Sequence, residues 1–388
     1  MKIVYITNAR IPTEKAHGLQ IMKSCEAFAK MGIDVELVIP RRLNDIKEEV
    51  FSYYGAERNF RITKIPCLDL LGASFLLGKL SFYILSVTFS ISAIFYIAMK
   101  KGKNTLIYCR DPIILFPLCL IGFNPIAELH DYKSEKPRRT VRFILDKSSK
   151  IVVNSSGTLG KIKRHYDIND KKVMVAPNGV DPEFFNIDES KEEARKLLNI
   201  PQGSRIIAYV GRIETAGTDK GVGLLIKSFA TIKDRVTNMV LYIIGGPNEL
   251  AENYNKQALS LGIDSSAIMF TGFVPFRRVP LYLRAIDVVI VPLPKGKHAE
   301  TTSPIKIFEF MAAGKAIIAP DFPSLREYID EENAIFFSPD NQNDLAEKIM
   351  YALDNPDLIK NKGQKSLEFA QKFTWQKRAR NIIDFINR

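Results

Sequence analysis

The feature that most constrains this chain is an alternation of short apolar runs with helical segments, which occurs twice along its 388 residues. Each run is apolar at consecutive positions, and a stretch with apolar residues at helical spacing separates it from the next. Such strands are buried on both faces, so they predict parallel sheets covered by helices. The predicted strands of the first series are 2–7, 34–39, 105–109, 126–129, 150–153 and 173–176. Those of the second series are 205–210, 239–244, 267–270, 287–291, 316–319 and 334–337.

The turn-rich segment 177–190 separates the two series. We therefore predict an α/β protein with two doubly wound, Rossmann-like domains, residues 1–178 and residues 179–373. Ligands of such sheets bind at the carboxyl ends of the strands, and two such edges facing each other form a cleft.

Composition is that of an ordinary globular protein, with 46% hydrophobic and 25% charged residues. The four cysteines have no C-x-x-C spacing, which favours buried, reduced thiols over a metal site; they are Cys25, Cys67, Cys109 and Cys119. The first residues read as a strand and not as a signal peptide, so we expect a cytoplasmic protein.

The positive charge lies entirely in the first half. Residues 1–178 hold 28 Lys and Arg against 16 Asp and Glu, whereas the remainder holds 27 of each class. The clearest groups are Lys100, Lys101 and Lys103, and then Lys133, Lys136, Arg138, Arg139 and Arg142. These groups form either a solvated face or a face that approaches an anionic membrane surface. No aromatic–basic interleaving supports nucleic acid as the partner.

Residues 80–99 contain no charge and are long enough to cross a bilayer. Several serines and a threonine lie within the run, and lysines flank both ends, which disfavours a membrane span. We predict a buried helix, with contact at the membrane surface as the alternative.

The most informative motif is the segment 301–314. Ser303 is a good N-cap and Pro304 suits the first helical position, so a helix is predicted from Pro304 to near Gly314. Lys306 then lies in the first turn, where the helix dipole opposes a cation unless an anion docks there.

Glu309 lies three residues after Lys306 and shares its helix face, from which it can reach a ribose hydroxyl. The alternative is a surface ion pair between the two side chains. Upstream, Arg212 and Lys220 follow the strand 205–210 and suit a diphosphate.

Two residues of the first domain are further candidates. Gly18 lies where a loop would let the backbone approach a phosphate, and His130 follows the strand 126–129. No D-x-D is present, so we predict that no essential metal and no cofactor takes part. No G-x-G-x-x-G follows the first strand, which disfavours a dinucleotide oxidoreductase.

Taken together, these motifs resemble the family 4 retaining glycosyltransferases of the GT-B fold. The resemblance rests on Gly18, Asn178-Gly179-Val180-Asp181, Gly211-Arg212, Lys220-Gly221, Gly272-Phe273-Val274 and the S-P-x-K-x-x-E-F-M-A-A-G stretch from Ser303 to Gly314. It implies that residues 374–388 form a helix that crosses back to the first domain. It also implies that the first domain binds the acceptor and the second binds a nucleotide sugar, for which we expect a UDP-sugar.

Further roles are implied by the resemblance. Phe273 and Val274 would meet the base, Glu309 the ribose, and Arg212, Lys220 and the backbone of Ile305 and Lys306 the diphosphate. The full predicted donor set is Gly18, Arg212, Lys220, Phe273, Val274, Thr301, Thr302, Ser303, Pro304, Ile305, Lys306 and Glu309. Thr301 stands where the family often has the first glutamate of E-x7-E, and Glu300 is one residue out of register.

The expected reaction is retaining and metal-independent, with His130 orienting the sugar or the acceptor. The acceptor is expected to be a glycan or a lipid-linked molecule at the cytoplasmic face of the membrane, in polysaccharide synthesis. Two alternatives stay open, namely a nucleotide-sugar epimerase of the same fold and a binding protein without catalysis.

Overall fold

The chain divides into two units, each built on its own parallel sheet. The computed structural model describes residues 1–70, 78–100, 105–130, 132, 136–215 and 217–388. The first unit comprises Met1–Asn178 and Trp375–Arg388, and the second comprises Gly179–Thr374. The chain enters and leaves the second unit at adjacent points, because Val180 N donates to Phe373 O at 2.9 Å.

The first unit contains a seven-stranded parallel sheet in the order β3-β2-β1-β4-β5-β6-β7. Its strands are β1 (Lys2–Ile6), β2 (Asp34–Pro40), β3 (Arg61–Ile65), β4 (Thr105–Cys109), β5 (Ile126–Leu129), β6 (Lys150–Val153) and β7 (Val173–Val175). The sequence did not predict β3. It is an edge strand with polar residues at alternate positions, so it lacks the apolar run of a buried strand.

Helices of the first unit pack on this sheet. They are α1 (Ala16–Lys30), α2 (Val50–Tyr54), α3 (Lys79–Lys100), α4 (Pro112–Leu120), α5 (Arg139–Lys147) and α6 (Ser156–Lys163). The last helix of the chain, α17 (Trp375–Ile386), packs against α1. Helices α3 to α6 share one hydrophobic cluster with the strands.

Helix α3 contains the uncharged run 80–99 and is only partly buried. Phe89, Ala93 and Ile97 lie in the core, whereas Phe95 and Met99 are exposed. By length and composition α3 could cross a membrane, and it is the one such helix in the described part of the chain. The prediction of a buried helix therefore holds for one face of α3 and is wrong for the other.

The second unit contains a six-stranded parallel sheet and a short antiparallel hairpin. The sheet order is β12-β11-β8-β13-β14-β15, and the hairpin pairs β9 with β10. The strands are β8 (Arg205–Val210), β9 (Glu214–Thr215), β10 (Thr218–Asp219), β11 (Met239–Ile244), β12 (Ile268–Gly272), β13 (Val288–Ile290), β14 (Ala316–Pro320) and β15 (Ala334–Phe337). Numbered within each unit, the first six sheet strands of both run in the order 3-2-1-4-5-6, which is the doubly wound topology that the sequence predicted.

Both faces of the second sheet are covered. Alternate residues of β8 point to opposite sides, with Ile206 and Ala208 in one hydrophobic cluster and Ile207 and Tyr209 in the other. The covering helices are α7 (Pro182–Phe185), α8 (Lys191–Leu197), α9 (Val222–Ile232), α10 (Asn248–Ser260), α11 (Val279–Ala285), α12 (Lys297–Thr301), α13 (Ile305–Ala312), α14 (Pro323–Arg326), α15 (Gln342–Asp354) and α16 (Pro356–Ala370).

Of the four cysteines, Cys25, Cys109 and Cys119 are buried, and all four are free thiols. Cys67 differs from the prediction because it follows the edge strand β3 and is partly exposed.

Candidate functional site

The strand order of the second sheet reverses between β8 and β13, and the loops that follow these two strands touch. Gly221 ends the loop after β8 and has a φ of +92°. A Cβ atom at this position would lie 1.6 Å from the carbonyl oxygen of Pro292, which follows β13. The switch point, where doubly wound sheets bind ligands, therefore has the loop of Arg212 and Lys220 against the beginning of the segment that leads from β13 to residues 301–314.

Lys220 lies eight residues after Arg212, and the hairpin β9–β10 explains how both can serve one site. The hairpin folds the chain between Arg212 and Lys220 back on itself, so that Lys220 N donates to Ile213 O at 3.0 Å. Burial lowers the pKa of the Lys220 ammonium, since desolvation disfavours its charge. The backbones of Arg212 and Lys220 thus lie at the same edge of the sheet.

Asp219 caps the start of α9, and the sequence analysis missed this role. Its Oδ1 accepts hydrogen bonds from Gly221 N at 2.8 Å and Val222 N at 2.9 Å, and its Oδ2 accepts one from Gly223 N at 3.1 Å. The N-terminus of α9 is therefore occupied by a carboxylate of the chain itself. An aspartate two residues before a helix-starting glycine was the available signal.

The predicted helix of the 301–314 segment is present but begins one residue late. Helix α13 starts at Ile305, and Pro304 is its N-cap, with extended backbone at φ −72° and ψ 116°. Ser303 is thus not the cap, because the extended backbone of Pro304 moves the first helical residue to Ile305. The helix ends at Ala312, and Gly314 adopts a φ of +65°.

The residues before α13 form a buried approach to its N-terminus. Thr301, Thr302 and Ser303 are at most 6% exposed, and Pro304 contributes no side-chain hydrogen bond to the cap. Glu300 is exposed, so it does not take the place of Thr301 in the buried wall.

Lys306 and Glu309 form an ion pair, with Nζ 2.8 Å from Oε2. The alternative considered from the sequence is therefore realised, although it is not a surface pair, because Glu309 is only 2% exposed. The Lys306 side chain is 38% exposed. A carboxylate has about four lone-pair sites, so Glu309 can accept a ribose hydroxyl beside its lysine.

The loops after β11 and β12 adjoin the same edge of the sheet. A Cβ atom on Gly245 would lie 1.9 Å from Gly211 O, so the loop after β11 approaches the loop after β8 as closely as glycine permits. Asn248 Oδ1 accepts a 3.3 Å hydrogen bond from Phe273 N. Phe273 is half exposed and Val274 is partly buried. Because its N–H is engaged, Phe273 would meet a base through its carbonyl or its ring.

In the first unit, His130 belongs to a buried polar network at the end of β5. His130 Nε2 lies 2.6 Å from Glu128 Oε1, which also accepts from Gln20 Nε2 at 3.0 Å and from Arg378 Nη2 at 2.6 Å. Burial raises the pKa of Glu128, but Arg378, His130 and Arg110 together outweigh that effect and hold the pKa well below its usual range. Glu128 is therefore an acceptor-only carboxylate.

Burial, followed by the nearby charge of Arg110, lowers the pKa of His130 to about 4. His130 is then neutral at pH 7. Because an ionised Glu128 can only accept, we assign the proton to Nε2, which leaves Nδ1 as a hydrogen-bond acceptor. Burial and the same arginine also lower the pKa of His17 to about 4. The sequence pattern pointed to His130 but gave no signal for Arg110, Glu128 or His17.

Gly18 lies in a different setting from the one predicted. It is in the first turn of α1 and not in a loop, and a Cβ atom there would lie 2.2 Å from the Tyr54 hydroxyl. Close packing of α1 on Tyr54 thus explains this glycine. Contact with a phosphate at Gly18 stays a prediction.

Of the basic residues predicted as groups, Lys136, Arg138, Arg139 and Arg142 are exposed on or before α5. Lys101, Lys103 and Lys133 lie outside the described residues. Within the described ranges, no three His, Cys, Asp or Glu side chains are grouped so that they could hold a metal ion.

Two family models match separate parts of the chain. The model for "Glycosyltransferase Family 4" matches residues 20–184, and the model for "Glycosyl transferases group 1" matches residues 204–355. Together they include Glu128 and His130 of the first unit and the switch-point residues from Arg212 to Glu309, but not Arg378.

Among curated proteins, the chain is similar to D-inositol 3-phosphate glycosyltransferases. It is 26% identical over 263 residues to the one from Corynebacterium glutamicum (strain R), covering 66% of this chain and 61% of that protein. It is 27% identical over 258 residues to the one from Corynebacterium diphtheriae, covering 64% and 58%. The matches thus span about three fifths of the length of these relatives.

Solved structures resemble the whole chain in fold. The sucrose-phosphate synthase from Thermosynechococcus elongatus has a TM-score of 0.75 at 19% identity, covering 100% of this chain and 98% of that one. Anabaena Alr3699/HepE in complex with UDP-glucose has a TM-score of 0.75 at 15% identity, covering 100% and 99%. At these identities the likeness concerns the fold alone.

Proposed function

We propose that this chain, which belongs to glycosyltransferase family 4 and has the GT-B fold, transfers a sugar from a nucleotide sugar to an acceptor hydroxyl. The observation that carries the proposal is the contact of the two loops at the switch point of the second sheet. That contact, at Gly221 and Pro292, joins the segment of Arg212 and Lys220 to the loop after β13, which leads through α12 to α13.

The donor we propose is a UDP-sugar. Arg212 and Lys220 bind the diphosphate together with the backbone N–H groups of Ile305 and Lys306 at the start of α13. Glu309 accepts hydrogen bonds from the ribose, and Phe273 with Val274 meets the base. The UDP complexes of Anabaena Alr3699/HepE, a protein of the same fold, support this choice of nucleotide.

We propose that the reaction needs no metal ion. The leaving diphosphate is stabilised by positive groups that the chain itself supplies. They are the side chains of Arg212, Lys220 and Lys306 and the N-terminus of α13. The hairpin β9–β10 and the start of α13 hold these groups in place, so little reorganisation is needed as charge develops on the leaving group.

The mechanism we propose retains the anomeric configuration. The bond from the sugar C1 to the phosphate oxygen breaks as the acceptor oxygen bonds to C1 on the same face. A donor phosphate oxygen takes the proton of the acceptor hydroxyl. His130 orients a sugar or acceptor hydroxyl through its unprotonated Nδ1, and Glu128 holds the ring in that tautomer.

The acceptor we propose is a glycan or a lipid-linked molecule at the cytoplasmic membrane face, and the uneven charge of the chain supports this choice. The experiment is transfer of radiolabel from a panel of nucleotide sugars into membrane lipid extract, and in parallel into soluble sugars, with EDTA present. Label in the lipid phase is the expected result. Transfer that requires an added metal ion would contradict the metal-independent reaction.

A matched pair of variants links transfer to the site. Arg212→Ala should reduce transfer by at least about tenfold, the equivalent of one charge-assisted hydrogen bond. Arg205→Ala changes an exposed arginine at the opposite end of β8 and should leave transfer intact. Interconversion of donor sugars without transfer would favour the epimerase, and tight UDP binding without either reaction would favour a binding protein.

A further inference from the structure

The outward side of α3 is an apolar surface that the described residues of the first unit leave uncovered. It consists of Leu80, Tyr83, Val87, Ile91, Phe95 and Met99, which we call the α3 face. These side chains are 50–76% exposed. They follow one another at intervals of three or four residues, so they form a single stripe about 29 Å long.

A surface helix of a globular protein is normally apolar on one side only. Helix α3 is apolar on both, because Phe89, Ala93 and Ile97 pack in the core while the α3 face points outward. A continuous exposed apolar patch of this kind marks an interaction surface and not an ordinary solvated one.

Polar contacts fix α3 to the sheet and decide which side faces outward. Asn8 Nδ2 donates to Ser86 Oγ at 2.8 Å, and the Tyr96 hydroxyl donates to Glu36 Oε1 at 2.5 Å. If α3 crossed a bilayer, these contacts and its packed face would be lost from the core. The geometry therefore favours a helix that lies along a surface over one that spans it.

The surroundings of the α3 face are apolar and basic. Helix α4 packs beside α3, and Leu120 and Ile121 at its end are 64% and 51% exposed. Neither α3 nor α4 contains an acidic residue. Helix α5 packs beside α4 and carries exposed Arg139, Arg142 and Lys147. The two ends of α3 are the exposed Lys79 and Lys100. Asp146, the single acid of α5, is 3.7 Å from Arg142.

We propose that the α3 face enters the interface of an anionic phospholipid bilayer, with the flanking lysines and arginines of α3 and α5 against the lipid headgroups. The complementary charge selects this occupant. A symmetric dimer through the same face would bring the basic side chains of both copies together, which like-charge repulsion opposes. The inference deepens the proposed function, because it names the surface on which a lipid-linked acceptor is met.

Vesicle flotation of the full chain, without donor or acceptor, tests the proposal separately from transfer. The wild type should float with vesicles of phosphatidylcholine and phosphatidylglycerol, and much less with phosphatidylcholine alone. The double variant Ile91→Ser/Phe95→Ser should bind the mixed vesicles at least about tenfold more weakly, since each residue loses an apolar contact with lipid. The matched control is Leu197→Ser/Leu259→Ser, which changes two exposed leucines of helices in the second unit.

Urea unfolding of each variant, monitored by the fluorescence of Trp375, shows whether the first unit is intact, because Trp375 belongs to that unit. A folding defect is then not mistaken for lost lipid binding. Equal flotation of both double variants, or of Arg139→Gln/Arg142→Gln and the wild type, would overturn the proposal. A wild type that is dimeric by light scattering and becomes monomeric with Phe95→Ser, without vesicle binding, would show that a second copy covers the α3 face.

The variant Phe95→Trp distinguishes insertion from adsorption. The only native tryptophan, Trp375, is 4% exposed on α17 and gives a constant background. Fluorescence of the new tryptophan should shift to shorter wavelength with mixed vesicles and be quenched by brominated acyl chains. Vesicle binding without quenching would mean that the basic residues act alone and the α3 face stays in water.

Discussion

Arg378 Nη2 lies 2.6 Å from Glu128 Oε1, and the two residues are 6% and 0% exposed although 250 positions separate them. Arg378 also donates through Nε to Pro177 O at 2.9 Å. A buried carboxylate and a buried guanidinium thus fix the last helix, α17, to the end of β5 in the first unit.

Arg378→Met should destabilise the first unit by about 3–5 kcal/mol, because removal of one partner leaves Glu128 buried without its counter-charge. Urea unfolding monitored by the fluorescence of Trp375 measures the loss, since that residue lies on the same helix. Arg380→Met changes an exposed arginine of α17 and should alter the free energy of unfolding by less than about 0.5 kcal/mol. Equal effects of the two substitutions would show that the buried pair carries no special stability.

The stability of the first unit should fall as the pH is lowered from about 6.5 to about 4. His130 has a folded pKa of about 4 against an ordinary value of 6.5, so the unfolded chain binds more protons in this window. The effect of His130 is at most about 3 kcal/mol. Below pH 4.5 Glu128 adds to the loss, because its folded pKa is lower than its unfolded one.

Proton NMR of the imidazole C2–H signals measures the titration of His130 directly. The signal that disappears in His130→Gln should show no titration between pH 8 and about 5.5. His165→Gln serves as the control for assignment. A midpoint near 6.5 for the His130 signal would contradict both the neutral ring and the assigned tautomer.

Gly221→Ala should disrupt the switch point. Its φ of +92° alone makes a side chain cost about 1–3 kcal/mol, and the clash with Pro292 O adds to that cost. Gly262→Ala introduces a similar strain at φ +72° without any atom within 4 Å of the new Cβ. We expect Gly221→Ala to lose more stability than Gly262→Ala. Only Gly221→Ala should bind UDP at least tenfold more weakly (about 1.4 kcal/mol), as measured by calorimetry.

Glu309→Ala should weaken UDP binding by about tenfold or more, because a ribose hydroxyl loses a charged acceptor. This loss of affinity should largely vanish for either 2′-deoxy or 3′-deoxy UDP, namely the one that lacks the hydroxyl from which Glu309 accepts a hydrogen bond. This double comparison separates a ribose contact from a general defect of α13. A penalty of the same size for all three nucleotides would assign Glu309 to its ion pair with Lys306 and not to the ribose.

Much of the fold could be predicted from the sequence because buried parallel strands are continuous apolar runs, as at Arg205–Val210. The hairpin β9–β10 has the polar sequence Glu214–Asp219 and lacks that signal, so only the structure explains how Lys220 returns to Ile213. The late start of α13 has a local cause, namely the extended backbone of Pro304.

Other features depend on distant contacts and could not be predicted from local sequence. Both sides of α3 are apolar, so only the packing of Phe89 and its neighbours shows that Phe95 is exposed. Gly18 looked like a loop glycine until the position of Tyr54 was known. The partner of Glu128 lies in the last helix, and no spacing rule connects residues so far apart.

The pairing of Glu128 with Arg378 also sets an order of events on the ribosome. The first unit is the first to emerge, yet its buried carboxylate lacks the guanidinium of Arg378 until 250 further residues have been synthesised. At about 5–20 residues per second this interval lasts roughly 12–50 s. The unit that begins to form first is therefore completed last, and a nascent chain that ends before α17 would carry a first unit in which Glu128 lacks its contact with Arg378.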